Sequence, residues 1–135
     1  MSELIIFTDG ASRGNPGLAS TGFVIKSSTK TLHEGGSFLG IATNNVAEYS
    51  AIVEALSKAK DFTINAKETS ISFYMDSKLA VEQLSGRYKI KNAALRELIM
   101  QVKILEAEFK LISYQHVPRE KNQEADAMAN KVLDQ

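Results

Sequence analysis

Leu4-Ile5-Ile6-Phe7 is apolar at every position. A strand without polar alternation needs cover on both faces, which points to a sheet sandwiched between helices. The run ends at Asp9-Gly10, and Gly10 to Gly17 is expected to be a loop. Residues 20–27 and 30–39 read as two further strands turned at Ser28-Thr29, an antiparallel hairpin.

After Thr43-Asn44-Asn45, apolar residues recur at helical steps (Val46, Tyr49, Ile52, Val53, Leu56) and predict one amphipathic helix. Ile71, Phe73 and Met75 alternate with Ser70, Ser72 and Tyr74, a strand that ends at Asp76. A helix from about Lys78 to Leu84 is halted by Ser85-Gly86, and Leu95, Leu98, Ile99, Val102 and Leu105 mark a longer one. Phe109 to Val117 reads as the last strand. Beyond Pro118, Ala125, Met128, Ala129 and Val132 share one side of a closing helix. A hairpin followed by strand–helix alternation predicts an α/β fold with one mixed sheet and helices on its faces. No linker interrupts the order, so residues 1–135 are expected to form one domain.

Composition narrows the chemistry. The chain has no cysteine and only His33 and His116, which excludes disulfides, thiol catalysis and an all-histidine metal site. Any metal here must be held mainly by oxygen. The formal charge is +0, which argues against retention on nucleic acid by bulk charge alone. The distribution is less even, with six basic against two acidic residues between Ser77 and Lys103. No apolar run approaches the roughly 18 residues a membrane span needs. The start, Met1-Ser2-Glu3-Leu4, has no secretory pattern, so a cytoplasmic location is expected.

Four acids stand where such a fold places function. Asp9 and Asp76 end predicted strands, and parallel neighbours would bring them about 4.8 Å apart at a crevice that commonly binds ligands. Glu48 and Asp126 fall early in helices that could point the same way. Four converging carboxylates repel unless cations neutralise them, and oxygen ligands favour hard dications, magnesium first. Each acid also has a purely structural alternative. Asp9-Gly10 suits a turn, and Asn45-Val46-Ala47-Glu48 has capping-box spacing. Asp76 or Ser77 could cap a helix, and Asp126 could complement a helix dipole.

The residues themselves carry a resemblance. Ile6-Phe7-Thr8-Asp9-Gly10-Ala11-Ser12-Arg13-Gly14-Asn15-Pro16-Gly17 resembles the opening motif of type 1 ribonuclease H. Thr43-Asn44-Asn45-Val46-Ala47-Glu48-Tyr49 and Tyr74-Met75-Asp76-Ser77 resemble its second and third blocks. His116-Val117-Pro118-Arg119-Glu120-Lys121-Asn122-Gln123-Glu124-Ala125-Asp126 resembles the fourth. The blocks follow family order, and the match is to the compact prokaryotic and reverse-transcriptase-like branch.

The resemblance implies a five-stranded mixed sheet, its first three strands antiparallel, with helices on both faces. It implies a metal-dependent endonuclease that cuts the RNA strand of an RNA/DNA hybrid, leaving 5′-phosphate and 3′-hydroxyl ends. Asp9 would bridge two magnesium ions, Asp126 would complete the first, and Glu48 with Asp76 would hold the second; manganese suits the same oxygens. Ions about 3.5–4 Å apart activate a water on one side of phosphorus and stabilise the leaving oxygen on the other. His116 matches a mobile histidine that moves a proton or releases metal.

Hybrid recognition requires reading the 2′-hydroxyl in a wide minor groove. Gly10, Ala11, Ser12, Asn15, Thr43, Asn44 and Asn45 match positions that touch the two backbones. Many bacterial relatives carry a basic protrusion, reduced here to Ser85-Gly86-Arg87-Tyr88-Lys89-Ile90-Lys91-Asn92, where Lys89 and Lys91 are the candidate phosphate contacts. No separate hybrid-binding domain is expected ahead of Asp9. Fewer phosphate contacts predict weaker binding and a shallower salt dependence. Double-stranded RNA is a second candidate substrate, and neither a membrane nor an obligate protein partner is implied. A non-catalytic nucleic-acid-binding module and a structure-specific DNA nuclease on the same fold stay open as alternatives.

Overall fold

The computed structural model describes residues 2–86, 90 and 92–135. The chain runs through β1 (Ser2–Gly14), β2 (Gly17–Lys26), β3 (Thr31–Gly35), β4 (Phe38–Ala42), α1 (Asn44–Ala59) and β5 (Thr69–Met75). It continues through α2 (Lys78–Leu84), α3 (Ala93–Glu106), β6 (Leu111–His116) and α4 (Gln123–Leu133). Short 3-10 turns occupy Lys60–Phe62, Ala66–Glu68 and Arg119–Lys121.

The sheet is mixed, as its sequence order predicts. Its strands lie β3-β2-β1-β5-β6, and β4 also pairs with β2. β1, β2 and β3 are antiparallel neighbours, whereas β1, β5 and β6 are parallel. Two expectations need correction. Residues 30–39 are not one strand: β3 and β4 separate around Gly36, making six strands among the described residues rather than five. Thr21 causes the break. Its N–H donates to the Ser37 carbonyl (2.9 Å) and its hydroxyl accepts from the Ser37 N–H (2.9 Å), so the edge changes register there. Nor is Gly10 to Gly17 a loop. β1 continues to Gly14, and cross-strand pairing with β2 holds every residue from Ile5 to Gly14.

The two faces of the sheet are covered unequally. Tyr49, Ile52 and Leu56 of α1 pack with Ile6, Ile71, Phe73, Leu84 and Val102 in the main core. Leu4 and Ile6 are buried on that side, while Ile5 and Phe7, pointing the opposite way, are half-buried. Full burial of the opening run therefore holds on one face only. On the other, Phe7 stacks on Tyr74 with centroids 5.3 Å apart, and the Lys26 ammonium lies 5.4 Å from the Phe7 ring centroid. α4 covers the rest of that second face, contacting β1 and β2.

Helix starts follow local hydrogen bonding. Thr43 caps α1, its hydroxyl accepting from the Val46 N–H at 3.2 Å. Glu48 is therefore the fifth helical residue rather than the third, and the capping-box alternative falls. Ser77 caps α2 in the expected way, accepting from the Ala80 N–H at 3.2 Å. Among the described residues no helix is long and apolar enough to cross a membrane.

Candidate active site

Parallel pairing between β1 and β5 ends at Phe7 opposite Tyr74. Asp9 and Asp76 each stand two residues further along, level with one another at the point where the strands part. Glycines then set how near the helices come. A Cβ on Gly10 would lie 2.3 Å from the Glu48 nitrogen, so only glycine lets the start of α1 touch β1 here. Gly22, the cross-strand partner of Asp9, does the same for α4: a Cβ there would lie 2.3 Å from the Ala125 carbonyl oxygen. Neighbouring strand residues face opposite sides, so α1 and α4 reach the same level of the sheet from opposite faces.

The result is a cleft of about 210 Å³ lined by Asp9, Gly10, Ala11, Ser12, Asn44, Glu48, Asp76, Arg119, Asp126 and Asn130. All four acids singled out in the sequence line it. Of the other candidates, Gly10, Ala11, Ser12 and Asn44 line it too. Asn15, Thr43 and Asn45 flank it: the Asn15 Oδ1 accepts from the Asn44 N–H at 3.1 Å, and Asn45 is exposed on the first turn of α1. The Ser12 hydroxyl donates to the Ala42 carbonyl at 3.1 Å, tying the strand to the entrance of α1. His116 is exposed at the end of β6, paired with Met75, and is not among the lining residues. Lys89 and Lys91 lie outside the described residues.

The electrostatics are those of crowded carboxylates. Burial, then the charge of Asp76 and the hydrogen bond and charge of Asp126, push Asp9 from its ordinary 3.8 up to about 8. Burial raises Glu48 to about 7, against a hydrogen bond from Ser77 and with the Asp76 charge adding to the rise. The Glu48 Oε2 is buried and has no hydrogen-bond partner among the described residues. Such a site holds protons it would release to a cation. Its donors are all oxygens, which suits a hard dication, and the orphaned carboxylate oxygen is where one would bind. No three acidic or histidine side chains among the described residues group tightly enough to hold one ion together. One or two carboxylates per ion, with water and phosphate oxygens completing the shell, is the usual arrangement for magnesium.

Three contributors were not singled out from the sequence. Arg119 sits within the fourth block and brings a guanidinium to the cleft. Asn130 lies one turn beyond Asp126 and donates from its amide to the Asp126 carbonyl at 3.0 Å. Ser77, read only as a cap, also bonds Glu48. The four-residue step from Asp126 to Asn130 was the available signal, since it puts both on one helix face.

Residues 7–132 match the family model described as reverse transcriptase-like. The chain is 41% identical over 134 residues to the bifunctional protein Rv2228c of Mycobacterium tuberculosis, covering 98% of this chain and 36% of that one. It thus spans about a third of the length of that curated relative. The crystal structure of RNase H1 from the halophilic archaeon Halobacterium salinarum superposes with a TM-score of 0.91 at 41% identity, covering 98% of both chains. That of LC11-RNase H1 in complex with RNA/DNA hybrid gives 0.92 at 39% identity, covering 97% of this chain and 96% of the other. With the acidic cleft, the matching sheet and these likenesses together, the chain belongs to the reverse transcriptase-like family and, within it, to the type 1 ribonuclease H family.

Proposed function

We propose that residues 1–135 form one ribonuclease H domain that hydrolyses the RNA strand of RNA/DNA hybrids in the cytoplasm, leaving 5′-phosphate and 3′-hydroxyl ends. The observation that carries this reading is that four carboxylates from four separate segments line one cleft, with Arg119 the one cation among its described lining residues. Binding an anionic strand gains nothing from such a cluster unless dications sit between. The solved complex of the similar LC11 enzyme with a hybrid supports the choice of substrate.

Asp9 with Asp126 would hold one magnesium or manganese ion, and Glu48 with Asp76 a second, one or two carboxylates to each. Bound there, the pair supplies charge neutralisation for the phosphodiester and Lewis-acid activation of the attacking water and leaving oxygen. The protein's own residues orient the strand. Gly10 to Ser12 present backbone groups to the minor groove, Asn15, Asn44 and Asn45 read sugar and backbone atoms, and Thr43 with Asn45 meets a DNA-strand phosphate. Arg119 is placed to meet a phosphate at the rim. His116, outside the cleft, would help move a proton or release metal. Lys89 and Lys91 add phosphate contacts from the short segment between α2 and α3. Double-stranded RNA fits the same minor-groove reading.

One gel tests the proposal: labelled hybrid, double-stranded RNA and double-stranded DNA, each with magnesium or chelator. The expected result is magnesium-dependent cleavage of the hybrid's RNA strand, with Asp76→Asn folded and at least about a hundredfold slower. Cleavage of DNA would favour a structure-specific DNA nuclease. No cleavage by folded protein in magnesium or manganese would favour a binding module.

A further inference from the structure

Asn122 stands at the N-cap of α4, where an asparagine oxygen ordinarily accepts a helix N–H. Here it makes no cap bond. The side chain turns away from its helix and is 1% exposed. Its Nδ2 donates to the Thr8 carbonyl at 2.9 Å, the carbonyl of the peptide that leads into Asp9. Its own carbonyl accepts the Asp126 N–H at 3.2 Å. One residue thus joins the peptide preceding Asp9 to the turn bearing Asp126. Its Oδ1, the atom a cap would use, is buried without a partner among the described residues. The residue forgoes the bond its position favours and leaves a buried acceptor unmet, both of which a simple capping role would avoid.

We propose that Asn122 is a positioning residue that sets the spacing of Asp9 and Asp126, and hence the affinity of the ion these two would share. The inference rests on reading the acidic cleft as a dication site. At this end α4 is otherwise held by the Lys26–Glu124 ion pair and by the contact of Ala125 with Gly22, neither of which reaches the peptide before Asp9. The helix buries only Ala125 and Ala129, and its other buried tie to the sheet, from the Ser20 hydroxyl to the Ala129 carbonyl (2.6 Å), lies nearly two turns further on.

Asn122→Ser separates the two roles, because serine caps a helix well but cannot reach Thr8. Asn122→Asp is the second variant, an equally good cap with no donor. Ser20→Ala is the control for losing a buried bond between α4 and the sheet. Each is measured by magnesium-dependent melting temperature and by steady-state cleavage of a hybrid. Both Asn122 variants should need about tenfold more magnesium for half the melting shift, with kcat about 30-fold lower and KM within about threefold. Ser20→Ala should melt lower yet keep the wild-type magnesium midpoint. If the Asn122 variants keep that midpoint, or if Ser20→Ala moves it equally, the proposal fails. A wild-type chain indifferent to magnesium would overturn the cation reading together with this inference; a responsive wild type matched by the Asn122 variants would overturn this inference alone.

Discussion

α1 and α4 deliver one acid each to the same cleft, but by different means. α1 buries Ala47, Tyr49, Ala51, Ile52, Ala55, Leu56 and Ala59, so Glu48 rides on the hydrophobic core. α4 buries only Ala125 and Ala129. It lies against Gly22 with almost no side chain between, held by Asn122, Ser20, and the ion pairs Lys26–Glu124 (2.5 Å) and Arg13–Asp134. Both pairs are partly solvated, and such pairs contribute about 0–1 kcal/mol each. Packing fixes the Glu48 side of the site, whereas a few polar bonds and close backbone contact fix the Asp126 side. The second arrangement is expected to yield before the first when a side chain is inserted beneath it.

Adding one methyl group on each face tests this difference. Gly10→Ala forces a Cβ against the backbone of a helix that the core holds in place, and should cost about 3 kcal/mol of stability or more. Gly22→Ala meets a helix that can retreat, and should cost about 1–2 kcal/mol. It should also raise the magnesium requirement about tenfold, since Asp126 retreats with the helix. Denaturant unfolding and magnesium titration of cleavage measure both. Equal stability losses, or an unchanged magnesium requirement in Gly22→Ala, would break the comparison.

A smaller effect is expected where neither helix is involved. His116 is exposed at the end of an edge strand and outside the cleft. His116→Ala should slow turnover about tenfold or less, well short of losing an acid. A loss as complete as that of Asp76→Asn, measured in the same assay, would give His116 a more direct part in the chemistry.

Periodicity made the order of elements legible, and with it the positions of Asp9, Glu48, Asp76 and Asp126, because strand ends and helix starts leave local signatures. What escaped depends on partners far along the chain. The extension of β1 to Gly14 rests on pairing with β2, and the division of residues 30–39 rests on Thr21. Gly22 looks like any strand glycine until α4 is laid across it. Asn122 sits in the fourth block with no role of its own in the sequence, and its bond to Thr8, 114 residues away, has no local signature. Arg119 lies in a recognisable block, but its place at the cleft depends on the turn Arg119–Lys121.

On the proposed reading, the cleft is an acidic pit completed by dications. Asp9 carries a folded-state value raised to about 8, so its contribution to stability is present at acid pH and is lost as pH rises toward 8. Glu48, raised to about 7, acts in the same direction. The direct test is the melting temperature of wild type and Asp9→Asn at pH 8.5, with chelator and with magnesium. Wild type should gain about 5 °C on adding magnesium, while Asp9→Asn should start higher and gain little. Equal magnesium shifts in the two proteins, or a lower starting point for Asp9→Asn, would contradict the account.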